Sequence, residues 1–282
     1  MQKVFLLAGV AACTLPAASH DDDKVEEKST VPFNFSGAKK LDVDLVSGNI
    51  TVIADGGAAI RAEGERVIRA RDRKGIDMAK KEVALDRNEK DGTAQLYANG
   101  PFRWNRRGEE THGFHEHTER AYEVIHNLTV HVPAKLDLRL HTVNGKSSTK
   151  GVTGELDISS VNGSLAITEM GGFGRISAVN GPITADFRSN PTGDLNVKSV
   201  NGKIELNMPS NLSPKFIFTT LNSGVYTDFE GTALALPSDT GARDGDRFIR
   251  KGNSRQAIQV GDGATEIKLE TVNGTIQIRK RK

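Results

Sequence analysis

A single cysteine, Cys13, stands in 282 residues, and it lies close to the N-terminus. Beyond it the chain can form no intrachain disulfide and no thiolate metal site, so stability must come from strand pairing and packing. Aromatic residues are few, at one Trp, three Tyr and eleven Phe, whereas glycine reaches 29. That profile suits many short strands and tight turns better than a large α/β enzyme. An excess of one charge is also lacking: 38 Lys and Arg face 36 Asp and Glu, which does not point to nucleic acid. The apolar run over residues 4–15 is too short to span a bilayer. There is no Gly-x-Ser-x-Gly nucleophile elbow, no Gly-x-x-x-x-Gly-Lys phosphate loop and no His-Glu-x-x-His zinc motif.

What is present begins with a leader. A short basic start, the apolar run and the small residues at 16–19 (PAAS) read as an export signal peptide over residues 1–19. The stretch Val10-Ala11-Ala12-Cys13 is also similar to a bacterial lipobox, so Cys13 has two readings: lost with the leader, or lipidated as the new N-terminus. No transmembrane span is then expected in the mature chain. Residues 20–31, charged and without apolar periodicity, read as a solvated linker. Residues 32–282 read as one β-strand-repeat domain.

The repeat is visible by eye. Thr142-Val143-Asn144-Gly145 is followed eighteen residues later by Ser160-Val161-Asn162-Gly163, then by Ala178-Val179-Asn180-Gly181. Ser199-Val200-Asn201-Gly202 follows after twenty-one, and Thr271-Val272-Asn273-Gly274 stands near the C-terminus. Thr220-Leu221-Asn222 is a degenerate copy. Self-similarity at about 20 residues marks a repeat architecture. Each Asn-Gly is followed by a short alternating stretch, such as 165–167 (LAI) or 204–206 (IEL), and a second such stretch completes the unit. Period-two alternation this short predicts half-buried strands. Hairpins would explain one Asn-Gly; a β-solenoid of 18–21-residue coils explains why spacing and flanks persist. In that fold Val143, Val161, Val179 and Val200 are expected as an inward column, the asparagines as an amide ladder, and each glycine at positive φ. Residues 41–53 resemble an early divergent coil, residues 76–81 predict a short helix, and residues 223–263 read as an insertion.

Candidate chemistry is sparse. Six of the seven histidines lie between His112 and His141, and His112, His115 and His117 form H-x-x-H-x-H in a His-rich loop over residues 100–120. Imidazoles with nearby carboxylates suit Zn, Ni or Cu, while a mobile polar loop would carry the same residues without binding anything. His126, His131 and His141 are expected at ordinary strand-surface positions. Trp104 among Arg103, Arg106 and Arg107 is a candidate surface-binding patch for a glycan, an anionic lipid or a protein; it serves equally as an anchor pinning its loop.

Three stretches resemble a bacterial family of β-strand-repeat domains called putative adhesins: residues 122–145 (YEVIHNLTVHVPAKLDLRLHTVNG), the Val-Asn-Gly series, and residues 260–278 (VGDGATEIKLETVNGTIQI). The resemblance covers roughly residues 40–280 and implies an exported, solenoid-like domain without established catalytic residues. The expectation is therefore a non-enzymatic, adhesin-like or scaffolding protein of the periplasm, cell envelope or exterior. The alternatives are a divalent-metal-binding envelope protein using the three-histidine loop, and a polysaccharide-acting enzyme.

Overall fold

The computed structural model describes residues 25–102, 122–221, 224–235, 243–244, 247–248 and 254–281. The chain opens with β1 (Val25–Phe35), β2 (Lys40–Ser47), β3 (Ile50–Asp55) and β4 (Ile60–Ala70), then α1 (Arg73–Glu82), β5 (Ala84–Lys90), β6 (Thr93–Asn99) and β7 (Tyr122–Pro133). The repeats supply β8 (Asp137–Asn144), β9 (Ser147–Lys150), β10 (Glu155–Asn162), β11 (Leu165–Met170), β12 (Phe173–Asn180), β13 (Ile183–Phe187), β14 (Leu195–Asn201), β15 (Ile204–Met208) and β16 (Pro214–Thr220). Short strands follow: β17 (Val225–Thr227), β18 (Thr232–Leu234), β19 (Arg243–Asp244), β20 (Arg247–Phe248) and β21 (Ser254–Gln259). β22 (Thr265–Asn273) and β23 (Ile276–Lys280) end the described chain.

Among the described residues the protein is all-β apart from α1, with two large sheets. One runs β1-β4-β7-β3-β9-β11-β13-β15-β23-β17, and the other β18-β21-β16-β22-β14-β12-β10-β8-β2-β6-β5. Both are mixed. Their middles are parallel, but β1-β4-β7, β5-β6 and β16-β21-β18 are antiparallel. A uniform parallel stack is therefore not what the whole domain forms. The reason lies in the connections: β5 and β6 are joined by a tight Asp91-Gly92 turn with both residues at positive φ, which suits a hairpin.

In the parallel middle each repeat unit places one strand in each sheet. β8, β10, β12 and β14 pair in a register that sets Asn144, Asn162, Asn180 and Asn201 side by side. The early unit β2–β3 stacks on β8–β9. At the other end the chain order is broken. β22 lies between β14 and β16, and β23 between β15 and β17. The last Val-Asn-Gly copy is thus seated inside the stack, with Asn273 opposite Asn201.

The core lies between the sheets. Leu41, Val43, Leu138, Leu140, Leu156, Ile158, Val197 and Leu269 face Ile50, Val52, Ile167, Ile183, Leu206 and Ile278, all essentially inaccessible to solvent. Burial of each such side chain is worth about 1.5–3 kcal/mol. A satellite cluster joins Ile76 and Ala79 of α1 to Ile68 and Ala70 of β4. α1 starts earlier than expected because Asp72 caps it, its Oδ1 accepting from the Gly75 N–H at 2.8 Å.

The charged segment expected as a linker is corrected over its described part. Residues 25–31 belong to β1, paired antiparallel with β4 along its whole length. Only Phe33 and Phe35 of this strand are buried, so most of it is solvated and its apolar period is weak. Glu26 is held by Arg69 at 2.8 Å and Glu27 by Arg73 at 3.3 Å. Residues 1–24, including Cys13 and the segment expected as a signal peptide, lie outside the described residues. In the region read as an insertion, β17, β18 and β21 are members of the two large sheets.

Candidate binding face

The Val-Asn-Gly corner repeats along one side of the molecule, and each of its positions has a separate job. Alternation along β8 turns Leu138, Leu140 and Thr142 inward. Val143 must then face out. The same parity puts Ser160, Ala178, Ser199 and Thr271 inside, each at 4% exposure or less. The expected inward valine column is therefore corrected: the small residue before each valine is the buried one. The hydroxyls of Thr142, Ser160, Ser199 and Thr271 have no hydrogen-bond partner among the described residues.

The amide ladder is present. Asn162 Nδ2 donates to Asn144 Oδ1 at 2.9 Å, Asn180 to Asn162 at 3.0 Å, Asn201 to Asn180 at 2.9 Å and Asn273 to Asn201 at 2.9 Å. Beside it run backbone bonds from each glycine N–H to the next asparagine carbonyl, as from Gly163 to Asn180 at 3.2 Å. The glycines answer to crowding more than to φ. Only Gly145 among the five takes a positive φ. A Cβ on Gly163, Gly181, Gly202 or Gly274 would stand 1.8–2.1 Å from the carbonyl oxygen of the glycine in the neighbouring unit. The triplet recurs because stacked corners approach closely at every level.

The outward valines make a continuous row. In spatial order it runs Val46, Val143, Val161, Val179, Val200, Val272 and Leu221, and the strand register places each beside the next. Seven aliphatic side chains at strand spacing span about 29 Å. Val179 is 39% and Leu221 47% exposed; the others are half-buried. The exposed Asn ladder borders the row on one side. On the other lie mixed polar groups: His141 Nδ1 is 2.8 Å from Ser159 Oγ, and Lys198 pairs with Glu270 at 3.3 Å. Beyond these, Arg139 sits between Asp42 and Asp157 at 3.7 and 3.8 Å. Charges of both signs alternate, and such exposed pairs contribute at most about 1 kcal/mol each.

The displaced carboxylates are held low by partners. The Lys203 ammonium lowers Glu205, Lys268 and Lys215 lower Glu266, and the Gly57 N–H with Arg61 lowers Asp55. Asp55 joins Arg61 at 2.5 Å and His131 Nδ1 at 3.3 Å in an open groove over β1, β4, β7 and β3. His131 and His141 keep strand-surface positions. His126 does not: it is 2% exposed, and burial, with Arg66 adding repulsion, drives its pKa down to about 4. Alternation along β7 could have shown this, since Val124, His126, Leu128 and Val130 share one face.

The remaining site candidates, His112, His115 and His117 and the Trp104, Arg103, Arg106 and Arg107 patch, lie outside the described residues. Among the described residues no group of three or more His, Cys, Asp or Glu is arranged to hold a metal ion. No described helix is long and apolar enough to cross a membrane.

No protein-family model matches the chain, and no curated protein is similar to it. Solved structures are. A putative cell adhesion protein from Clostridium sporogenes is 15% identical with a TM-score of 0.37, over 90% of this chain and all of the other. A putative adhesin from Bacteroides fragilis is 11% identical with a TM-score of 0.35, over 89% of this chain and 97% of the other. A putative lipid binding protein from Parabacteroides distasonis is 9% identical with a TM-score of 0.25, over 90% and 97%.

Proposed function

We propose that this chain is a non-enzymatic, exported protein of the bacterial cell envelope, in which a two-sided solenoid presents a binding face to a surface partner. Export rests on the leader at residues 1–19, with lipid anchoring through Cys13 as its variant. The solenoid reading rests on the in-register parallel units of the middle of the domain. The observation that carries the function is the outward aliphatic row from Val46 to Leu221. Each side chain of the row leaves part of its apolar surface in water, where apolarity gains nothing for the folded monomer, yet every level of the stack carries one. A row of this length, bordered by amides, offers an apolar centre and a polar rim, the anatomy of a protein interface. Many shallow contacts along a rigid face suit attachment, and they need no pocket.

The test is the triple variant Val161→Thr, Val179→Thr and Val200→Thr. Threonine keeps the β-branched shape, so unfolding should be nearly unchanged. Cells displaying the variant should attach less to surfaces than cells displaying the wild-type chain. Equal attachment at equal display level would overturn the reading.

A further inference from the structure

Asparagine followed by glycine occurs six times, at Asn99, Asn144, Asn162, Asn180, Asn201 and Asn273. The pair is chemically labile, because glycine has no Cβ to shield its backbone nitrogen from the preceding side-chain amide. Five of the six stand at the stacked corners, where the reacting groups are tied. Asn162, Asn180 and Asn201 each donate one amide bond and accept another along the ladder, at 2.9 or 3.0 Å. The glycines after them donate their N–H to the next asparagine carbonyl, Gly163 and Gly181 at 3.2 Å and Gly202 at 3.1 Å. Asn144 accepts one amide bond, from Asn162, and Gly145 donates its N–H at 3.1 Å.

Asn99 is different. It is the last residue of β6, exposed and outside the ladder. Its side chain makes one hydrogen bond among the described residues, from Nδ2 to Asp86 Oδ2 at 2.8 Å. The Gly100 N–H has no partner among the described residues. β5, which carries Asp86, is the outermost strand of its sheet and pairs with β6 alone. We propose that Asn99-Gly100 is a site of spontaneous deamidation, selected from the six pairs by the fold. The Gly100 nitrogen, its proton lost to solvent, attacks Cγ of Asn99. The new N–Cγ bond closes a five-membered imide as the Cγ–Nδ2 bond breaks, and the amide nitrogen takes up a proton and leaves as ammonia. Water then opens the imide to aspartate or isoaspartate, with no change of oxidation state. The product sets a carboxylate against the carboxylate of Asp86, so an attraction becomes a repulsion and β5 loses a tie to β6. The site is separate from the valine row and does not depend on its function.

The test is incubation of the full wild-type chain at mildly alkaline pH, with deamidation at each of the six sites followed by peptide mass spectrometry. Each rate is divided by that of the same site in the urea-unfolded chain, which removes the effect of neighbouring residues. Every hydrogen bond beyond the one at Asn99 is worth about 1 kcal/mol, a factor of about five. Asn144, with one bond more, should therefore react about five-fold more slowly than Asn99, and Asn162, Asn180 and Asn201, with two more, about thirty-fold more slowly. In Asn99→Asp, the aspartyl product, the β5 amides should exchange with deuterium at least about five-fold faster than in wild type, while those of β10 stay unchanged. Ladder sites that react as fast as Asn99, or an Asn99 protected as strongly as they are, would overturn the proposal. Unchanged β5 exchange in Asn99→Asp would overturn the loosening of the strand.

Discussion

Replacing Gly181 by alanine tests the corner more directly than any change in the core. The added Cβ would lie 2.1 Å from the carbonyl oxygen of Gly163, where real Cβ atoms essentially never come within 3.0 Å. The two strands must part by about 1 Å locally, and the obstacle is backbone, which cannot swing aside as a side chain can. The bonds that resist are the Gly163 N–H to Asn180 carbonyl and the Gly181 N–H to Asn201 carbonyl, both 3.2 Å, with the amide links of Asn180 to Asn162 and Asn201 on either side. At about 1 kcal/mol for each of these four bonds lost or stretched, Gly181→Ala should cost about 4 kcal/mol. Gly56→Ala is the control, because nothing lies within 4 Å of its Cβ position and its φ is not in the left-handed region. It should stay within about 0.5 kcal/mol of wild type. Urea unfolding followed by far-UV circular dichroism measures both. If Gly181→Ala matches Gly56→Ala, the close-packed corner is not what selects glycine, and the account given for the repeat fails.

Two further outcomes follow from buried polar groups. Ser160→Ala should stabilise the fold by about 1 kcal/mol in the same urea assay, since its hydroxyl is buried and unpartnered and Ala178 already fills the equivalent place one strand away; a loss of stability would show that the hydroxyl is bonded. His126 should make the protein acid-sensitive: with a folded pKa of about 4 and an unfolded value near 6.5, the unfolded chain alone takes up this proton as pH falls through that window. Stability due to this group is complete above pH 6.5 and lost toward pH 4, about 2 kcal/mol of it between pH 7 and pH 5. His126→Gln should remove that part of the slope, and an unchanged difference between pH 7 and pH 5 would refute the assignment.

The all-β class, the amide ladder and the helix near residue 76 were legible in the residues, because each depends on short-range pattern. Asn at a fixed spacing, followed by Gly and an alternating strand, states its own stacking partner. The direction of the valines was legible too, but only by counting parity from Leu138 and Leu140 or from Leu156 and Ile158. Read by hydrophobicity alone, Val143, Val161, Val179 and Val200 point the wrong way, since an apolar residue in an outward row looks like one in a core. His126 is the same case reversed: alternation with Val124 and Leu128 turns it inward against its polarity.

Other features belong to the tertiary structure only. Nothing local in residues 265–280 says that β22 and β23 enter the stack ahead of β16 and β17, because all these strands carry compatible alternation and the choice rests on packing against β14 and β15. β1 is strand only because β4 offers an edge for it; alone, its charges read as linker. The cavity beside His126 arises where residues distant in sequence, Val46, Val83, Phe102 and Val124, meet at the point where β7 outruns β3. Repetition could be determined by sequence because each unit specifies its neighbour through its own side chains. The order of the last units and the gap at the end of the stack could not, because they depend on which surfaces are still open when distant segments meet.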